Sequence, residues 1–181
     1  MKKILALILA FASLLICLCG CQALDWLQDE YWDNIKKTAL PEEMPEDFTF
    51  AVEWGIAGSY YNSVTGELRK AWGEEYTTTC IMSENELEAV YNIIREMKID
   101  NFEEKFAPND IQGADPWMTV SLSVHTGNFD KTVIAEKIGP SFGCGITYRG
   151  KKYLETVNAI VDIIVATEEW KSLPEWDYII G

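Results

Sequence analysis

The chain of 181 residues has a single histidine, and this scarcity limits the catalytic and metal chemistry that its side chains can perform. A histidine that acts as a general base needs a partner within hydrogen-bond reach, and the sequence points to none. His125 ends an alternating strand on its polar side, which is typical of a solvent-facing turn residue. Cys80, Cys144 and His125 provide no pair of zinc ligands at short spacing. We therefore expect neither a metal site nor a cofactor.

Basic residues are scarce too, with 15 Lys and Arg against 29 Asp and Glu and a net charge of −14. Nucleic acids are bound by clusters of Lys and Arg that neutralise their phosphates, so we expect no nucleic-acid partner. Seven tryptophans and a hydrophobic content of 48% distinguish the chain from disordered acidic sequences. Its length is sufficient for one domain with a substantial core.

Motifs of common catalytic sites are also missing. Residues 139–145 are rich in glycine but lack the Gly-Lys-Ser/Thr ending of a phosphate-binding loop. Gly143-Cys144-Gly145 does not reproduce the Gly-x-Ser-x-Gly turn that presents a nucleophilic serine. Paired carboxylates need no motif, so a hydrolase that uses carboxylates, or a thiol enzyme that uses Cys144, remains an alternative.

The start of the chain carries the one specific motif. Lys2 and Lys3 precede an apolar run over 4–18 that only Ser13 interrupts, a pattern typical of a secretory signal. The run ends in Leu18-Cys19-Gly20-Cys21. This motif resembles the lipobox of bacterial lipoprotein precursors, which has leucine three positions before an invariant cysteine and a small residue directly before it.

The resemblance implies that residues 1–20 are a signal peptide and that Cys21 carries lipid. Lys2 and Lys3 would leave with the signal, which changes the net charge from −14 to −16. The mature chain would be anchored on the outer face of the bacterial cytoplasmic membrane, in the cell envelope. The alternatives are an uncleaved spanning helix, which needs about 20 apolar residues, and a secreted protein without lipid.

Residues 21–47 are predicted to form the lipidated tether. Its helix over 25–39 begins with acidic residues and ends with Lys36 and Lys37, which suits the helix dipole. Pro41 and Pro45, interleaved with acidic residues, predict a stiff linker. We interpret this segment as a spacer between the membrane and the domain.

Residues 48–181 are predicted to form a single α+β domain, because alternating and helical hydrophobic periods follow one another along the chain. Two hairpins form an antiparallel sheet with two helices on one face, in the order ββα-ββα, preceded by the N-terminal helix of the tether. This layout resembles that of uncharacterised small lipoproteins of bacterial envelopes. The predicted elements are strands over 48–56 (extended by 60–62), 68–72 and 76–82, a helix from the capping box of Ser83 and Glu86, strands over 118–125 and 129–135, and a helix over 151–170.

Two surfaces and one cysteine pair are candidate sites in this domain. Arg149, Lys151 and Lys152 begin the last predicted helix, where they bind an anion or pair with neighbouring acids. Trp117 is out of phase with the apolar residues of its strand, which predicts an aromatic surface for a glycan or a partner protein, unless another segment covers it. Cys80 and Cys144 form either a disulfide or two inert buried thiols.

The sequence therefore favours a lipid-tethered, non-enzymatic binding or interaction domain. Its partner is the membrane, through lipid on Cys21, together with an unknown protein, glycan or small ligand. An envelope hydrolase or thiol enzyme is one alternative, and a structural envelope protein without a ligand is another.

Overall fold

The computed structural model describes residues 31, 37–71, 74–108, 118–138 and 146–175. In these ranges the strands are β1 (Thr49–Trp54), β2 (Ser59–Asn62), β3 (Glu67–Ala71), β4 (Glu75–Thr79), β5 (Lys105–Phe106), β6 (Met118–Thr126) and β7 (Phe129–Ile138). They form one sheet in the order β4-β3-β2-β1-β6-β7-β5. Neighbouring strands are antiparallel except β5 and β7, which run parallel. The fold is therefore α+β with a mixed sheet.

The apolar and polar side chains alternate along the strands. The apolar ones point to one face of the sheet, called the inner face. The strand register places Val52 of β1 opposite Tyr61 of β2 and opposite Leu122 of β6. Their exposed fractions are 0%, 1% and 0%. Burying a large apolar side chain contributes about 1.5–3 kcal/mol, so this row is a major part of the core.

The described ranges contain the α-helices α1 (Glu84–Met97), α2 (Tyr148–Val165) and the short α3 (Glu168–Ser172), and a 3-10 helix over Ile99–Asn101. α1 begins with the predicted capping box, in which Ser83 accepts from the amide of Glu86 and the Glu86 carboxylate accepts from the amide of Ser83. The buried sides of α1 and α2 lie on the inner face. Tyr91 of α1 meets Phe48 edge-on at 5.0 Å between ring centroids, and Tyr153 of α2 bonds to strand carbonyls.

The predicted order of two hairpin-plus-helix units is not confirmed, because four strands precede α1. Gly55 and Gly58 both have positive φ, which glycine adopts without steric cost. They turn the chain between β1 and β2, so the segment over 60–62 is a separate strand and not an extension of β1. β5 was not predicted, because a strand of two residues is too short to show a period.

The helix predicted over 151–170 is divided in the structure. α2 ends at Val165, and Thr167 then caps α3 by accepting from the amide of Trp170. The first amides of a helix have no carbonyl acceptor within that helix. The side-chain oxygen of Thr167 accepts one of these hydrogen bonds, so a new helix starts there.

The segment that precedes β1 belongs to the domain from Thr38 onward. The Thr38 hydroxyl donates to Asp100 at 3.1 Å, and Leu40 is 3% exposed. The Tyr91 hydroxyl donates to the carbonyl of Pro41 at 2.7 Å. Residues 38–41, predicted as part of the spacer, are therefore held against the domain. The predicted signal peptide and most of the helix over 25–39 lie outside the described residues.

Candidate functional site

The second face of the sheet, called the outer face, is the most extended candidate surface in the described ranges. Both main helices lie on the inner face, and the outward side chains of the four central strands are exposed or half-buried. These side chains are mainly polar because a half-covered antiparallel sheet alternates apolar and polar positions. They are Thr49, Ala51, Glu53, Tyr60, Asn62, Ser121, Ser123, His125, Asp130, Thr132 and Ile134.

The strand register orders part of this face into rows. Thr49, His125 and Asp130 lie side by side across β1, β6 and β7. In the next row the hydroxyls of Ser123 and Thr132 are 2.9 Å apart and share a hydrogen bond. His125 Nδ1 lies 3.8 Å from Asp130 Oδ2, and both side chains are mostly exposed.

These groups do not assemble a nucleophilic site. A serine nucleophile needs its hydroxyl within about 2.6–3.2 Å of a base that a third group orients. The Ser123 hydroxyl is instead bonded to Thr132. The distance of 3.8 Å between His125 and Asp130 exceeds a hydrogen bond. The arrangement suits surface contact better than acyl transfer.

Two open depressions lie on the described part of this face. One of about 110 Å³ lies over the Thr49–His125–Asp130 row and reaches Asn62 and Val64. The other, of about 480 Å³, lies at the edge of β7 and is lined by Glu104, Lys105, Asp130, Lys131, Thr132 and Ile134. Pockets that enclose a drug-sized ligand have roughly 300–1,000 Å³ and a mainly apolar lining. The first depression is too small and the second is lined mainly by charged and polar side chains, so the outer face suits a polar partner that lies across it.

Tyr60 and Arg69 extend the outer face toward β3. The Arg69 guanidinium lies 5.4 Å from the centroid of the Tyr60 ring, and Asn62 Nδ2 donates to the Tyr60 hydroxyl at 2.9 Å. Tyr and Arg are enriched at protein interfaces. Sequence reasoning missed this pair, although Tyr60 and Arg69 alternate with the buried Tyr61 and Leu68 and are thereby assigned to one face.

The predicted basic cluster at the start of α2 is distributed among separate contacts. Arg149 Nη2 donates to the carbonyl of Asn101 at 2.9 Å, and its Nη1 lies 3.6 Å from Glu103. Lys151 lies 4.0 Å from Glu155 on the same helix. Lys152 is half-buried and also engaged. Arg149 thus joins α2 to the segment before β5.

Cys80 is a buried thiol beside α3. It is 1% exposed, and its Sγ lies 3.8 Å from a carboxylate oxygen of Glu169. Burial, helped by this carboxylate, raises the pKa of the Cys80 thiol, which lowers the reactive thiolate fraction at neutral pH. Cys144, which the sequence offers either as its disulfide partner or as a second inert thiol, lies outside the described residues, as do Trp117 and Cys21.

Within the ranges that the structure covers, no group of three His, Cys, Asp or Glu side chains is placed to hold a metal ion. No helix in those ranges is both long and apolar enough to cross a membrane. In comparisons with known proteins, the chain matches no protein family, and no curated protein is significantly similar to it.

Proposed function

We propose that this protein is a membrane-tethered extracytoplasmic lipoprotein whose domain is a non-enzymatic interaction module, and that its outer face binds the partner. The observation that carries the binding role is the open, hydrogen-bonding outer face. Four strands present polar side chains there while both main helices lie on the other side.

Membrane attachment through Cys21 is supported by Leu18-Cys19-Gly20-Cys21 at the end of the apolar run. The charge of the chain excludes one other means of attachment. A net charge of −14, or −16 without Lys2 and Lys3, opposes direct binding to anionic headgroups. The proposed anchor is therefore lipid, and stable anchoring takes more than one acyl chain.

The partner is an extended polar surface of a protein or glycan. A flat face with Tyr60, Arg69 and Asn62 offers stacking, a cation and an amide side by side. These are the chemical groups by which proteins contact other proteins and sugars. The shallow depression near His125 is too small to enclose a larger ligand alone.

The tether is tested by replacing Cys21 with serine and fractionating cells. Cys21→Ser should abolish lipid incorporation and release the protein from membranes. The matched control is Cys19→Ser, which alters the neighbouring cysteine and should leave the protein membrane-bound. Retention of Cys21→Ser in the membrane fraction would contradict the lipoprotein assignment.

The outer face is tested by photo-crosslinking in cells. A photoreactive residue at Ser123 should give a discrete adduct, and a second substitution, Arg69→Ala, should reduce its yield severalfold. Glu88 is the control position, because it is exposed on α1 and distant from the outer face in the fold. Equal adducts from Ser123 and Glu88 would contradict a specific role for the outer face.

A further inference from the structure

β4 is the last strand on one side of the sheet in the described residues. β3 pairs with one side of β4, and no strand in the described ranges pairs with the other. The Cys80 amide donates to the carbonyl of Gly66, on the β3 side, at 2.8 Å. Backbone groups alternate between the two sides of an antiparallel strand. Glu75, Thr77 and Thr79 therefore direct their amides and carbonyls away from β3.

Within the part of the chain that the structure describes, this edge has little of the usual protection against pairing. Natural edges are blocked by proline, charged side chains, bulges, very short strands, or a covering helix or loop. β4 has five residues, Glu75-Tyr76-Thr77-Thr78-Thr79, with one charge and no proline. Thr77 and Thr79 are exposed. A weakly protected edge of this kind is a template for another strand.

We infer that β4 pairs antiparallel with β4 of a second copy of this chain, about a two-fold axis through Thr77. In this register the outward amides and carbonyls of Glu75, Thr77 and Thr79 all meet a backbone partner. Thr77 faces Thr77 of the second copy, and Glu75 faces Thr79 of the second copy. This register provides about six backbone hydrogen bonds. Tyr76 then lies beside Thr78 of the second copy, an aromatic and β-branched pair that stabilises sheets.

The charges also favour a second copy at β4 and disfavour one at the opposite edge. In the β4 register the single acid, Glu75, faces a threonine. At the other edge, β5 covers β7 only at Ile134 and Ala135. Two β7 strands can therefore pair symmetrically only through residues that β5 leaves uncovered. Such a pairing places Lys131 opposite Lys131, or Asp130 opposite Asp130. Like charges directly opposite one another destabilise a sheet.

The resulting dimer has closed two-fold symmetry, in which the same surface is used by both copies. The axis is perpendicular to the sheet, so the helices of both copies lie on one side and their outer faces form one continuous surface. The proposal concerns oligomeric state and does not depend on the tether or on the partner of the outer face.

The first test is Thr77→Pro, measured by sedimentation with the domain from Thr38 to Gly181, which forms one compact unit. Proline removes an amide that makes no bond to β3, so the fold is retained while the central pair of the dimer is lost. The matched control is Thr132→Pro, because the Thr132 amide also points to a free edge, that of β7. Thr77→Pro should weaken dimerisation at least tenfold, and Thr132→Pro should not.

The second test depends on the register itself. Thr79→Lys places a cation opposite Glu75 of the second copy and should tighten the dimer, whereas Thr79→Glu should weaken it. Each dimer contains two such contacts, so we expect each change to be about twofold to thirtyfold. Because Thr79 also lies opposite Glu67 of its own β3, urea unfolding of each variant measures the change within the monomer separately. Circular dichroism of all variants checks that the fold is intact.

Three results would overturn the proposal. One is a wild-type domain that stays monomeric up to about 1 mM, since a Kd above that value corresponds to less than about 4 kcal/mol of association free energy. Another is equal loss of dimer in Thr77→Pro and Thr132→Pro. The third is a monomer that dimerises only after residues 176–181 are deleted, since that tail would then occupy the edge in the full chain.

Discussion

The hydroxyl of Tyr153 donates a hydrogen bond of 2.8 Å to the carbonyl oxygen of Val133, which joins α2 to the middle of the sheet. Both residues are 0% exposed. The same hydroxyl lies 3.4 Å from the carbonyl of Val120, on the neighbouring strand. One side chain thus ties α2 to both β6 and β7 and fixes the layer beneath the outer face.

This contact predicts a graded loss of stability. Tyr153→Phe should lower the free energy of unfolding by about 1 kcal/mol, because it removes the hydrogen bond and keeps the ring. Tyr153→Ala should lower it by about 3–5 kcal/mol, because it also leaves a cavity. Urea unfolding measures both values. The control Tyr60→Phe removes a half-buried hydroxyl, whose hydrogen bond from Asn62 can be replaced by one to water, and it should cost less than about 0.5 kcal/mol.

The second prediction concerns Arg149 and tests whether its side chain stabilises the fold or binds an anion. Its guanidinium bonds to the carbonyl of Asn101 and lies 5.5 Å from the centroid of the Phe102 ring. Arg149→Ala should therefore lower the free energy of unfolding by about 1–3 kcal/mol. Lys151→Ala, the control at an exposed helical pair, should cost less than about 0.5 kcal/mol.

Phosphate provides the complementary measurement for this cluster. If Arg149, Lys151 and Lys152 serve the fold, phosphate should raise the melting temperature of wild type and of Lys151→Ala by the same amount, because the general stabilising effect of phosphate needs no binding site. A phosphate-specific rise that disappears in Lys151→Ala would instead show an anion site at the start of α2.

The sequence predicts elements whose signal is local and periodic. The alternation around Val52 and Leu122 identifies two core strands, and Ser83 with Glu86 identifies the start of α1. The α+β class follows from these elements. Their order around the sheet does not, because a separate strand such as β2 is distinguished from an extension of β1 only by the turn at Gly55 and Gly58.

Contacts between distant segments leave no such signal. Thr38 reaches Asp100, and Arg149 reaches Asn101, across long separations in sequence. The composition of the acidic, proline-containing segment indicates a linker, yet Leu40 within it is buried by the domain. The position of β4 at the edge of the sheet cannot be predicted from its own residues either, because it depends on the order of all the strands in the sheet.

Tyr61 predicts how the fold responds to alkaline pH. Its side chain is 1% exposed, and its hydroxyl donates to the carbonyl of Cys80 at 3.3 Å. Burial, with the nearby Cys80 thiol and acidic side chains, raises the pKa of Tyr61 from 10.0 to about 12. The folded state thus holds this proton at a pH where the unfolded chain has released it.

The sign of the effect follows from proton binding. The stabilisation is fully present below pH 10, where Tyr61 is protonated in both states, and it is lost as the pH rises to about 12. Tyr61→Phe should be less stable than wild type at pH 8 yet lose stability less steeply between pH 10 and about 12. Urea unfolding across this range measures the slope. Leu122→Val is the matched control, because it weakens the core without removing a tyrosine and should retain the wild-type slope. A Tyr61→Phe variant with the wild-type slope would show that ionisation of Tyr61 does not contribute to alkaline unfolding.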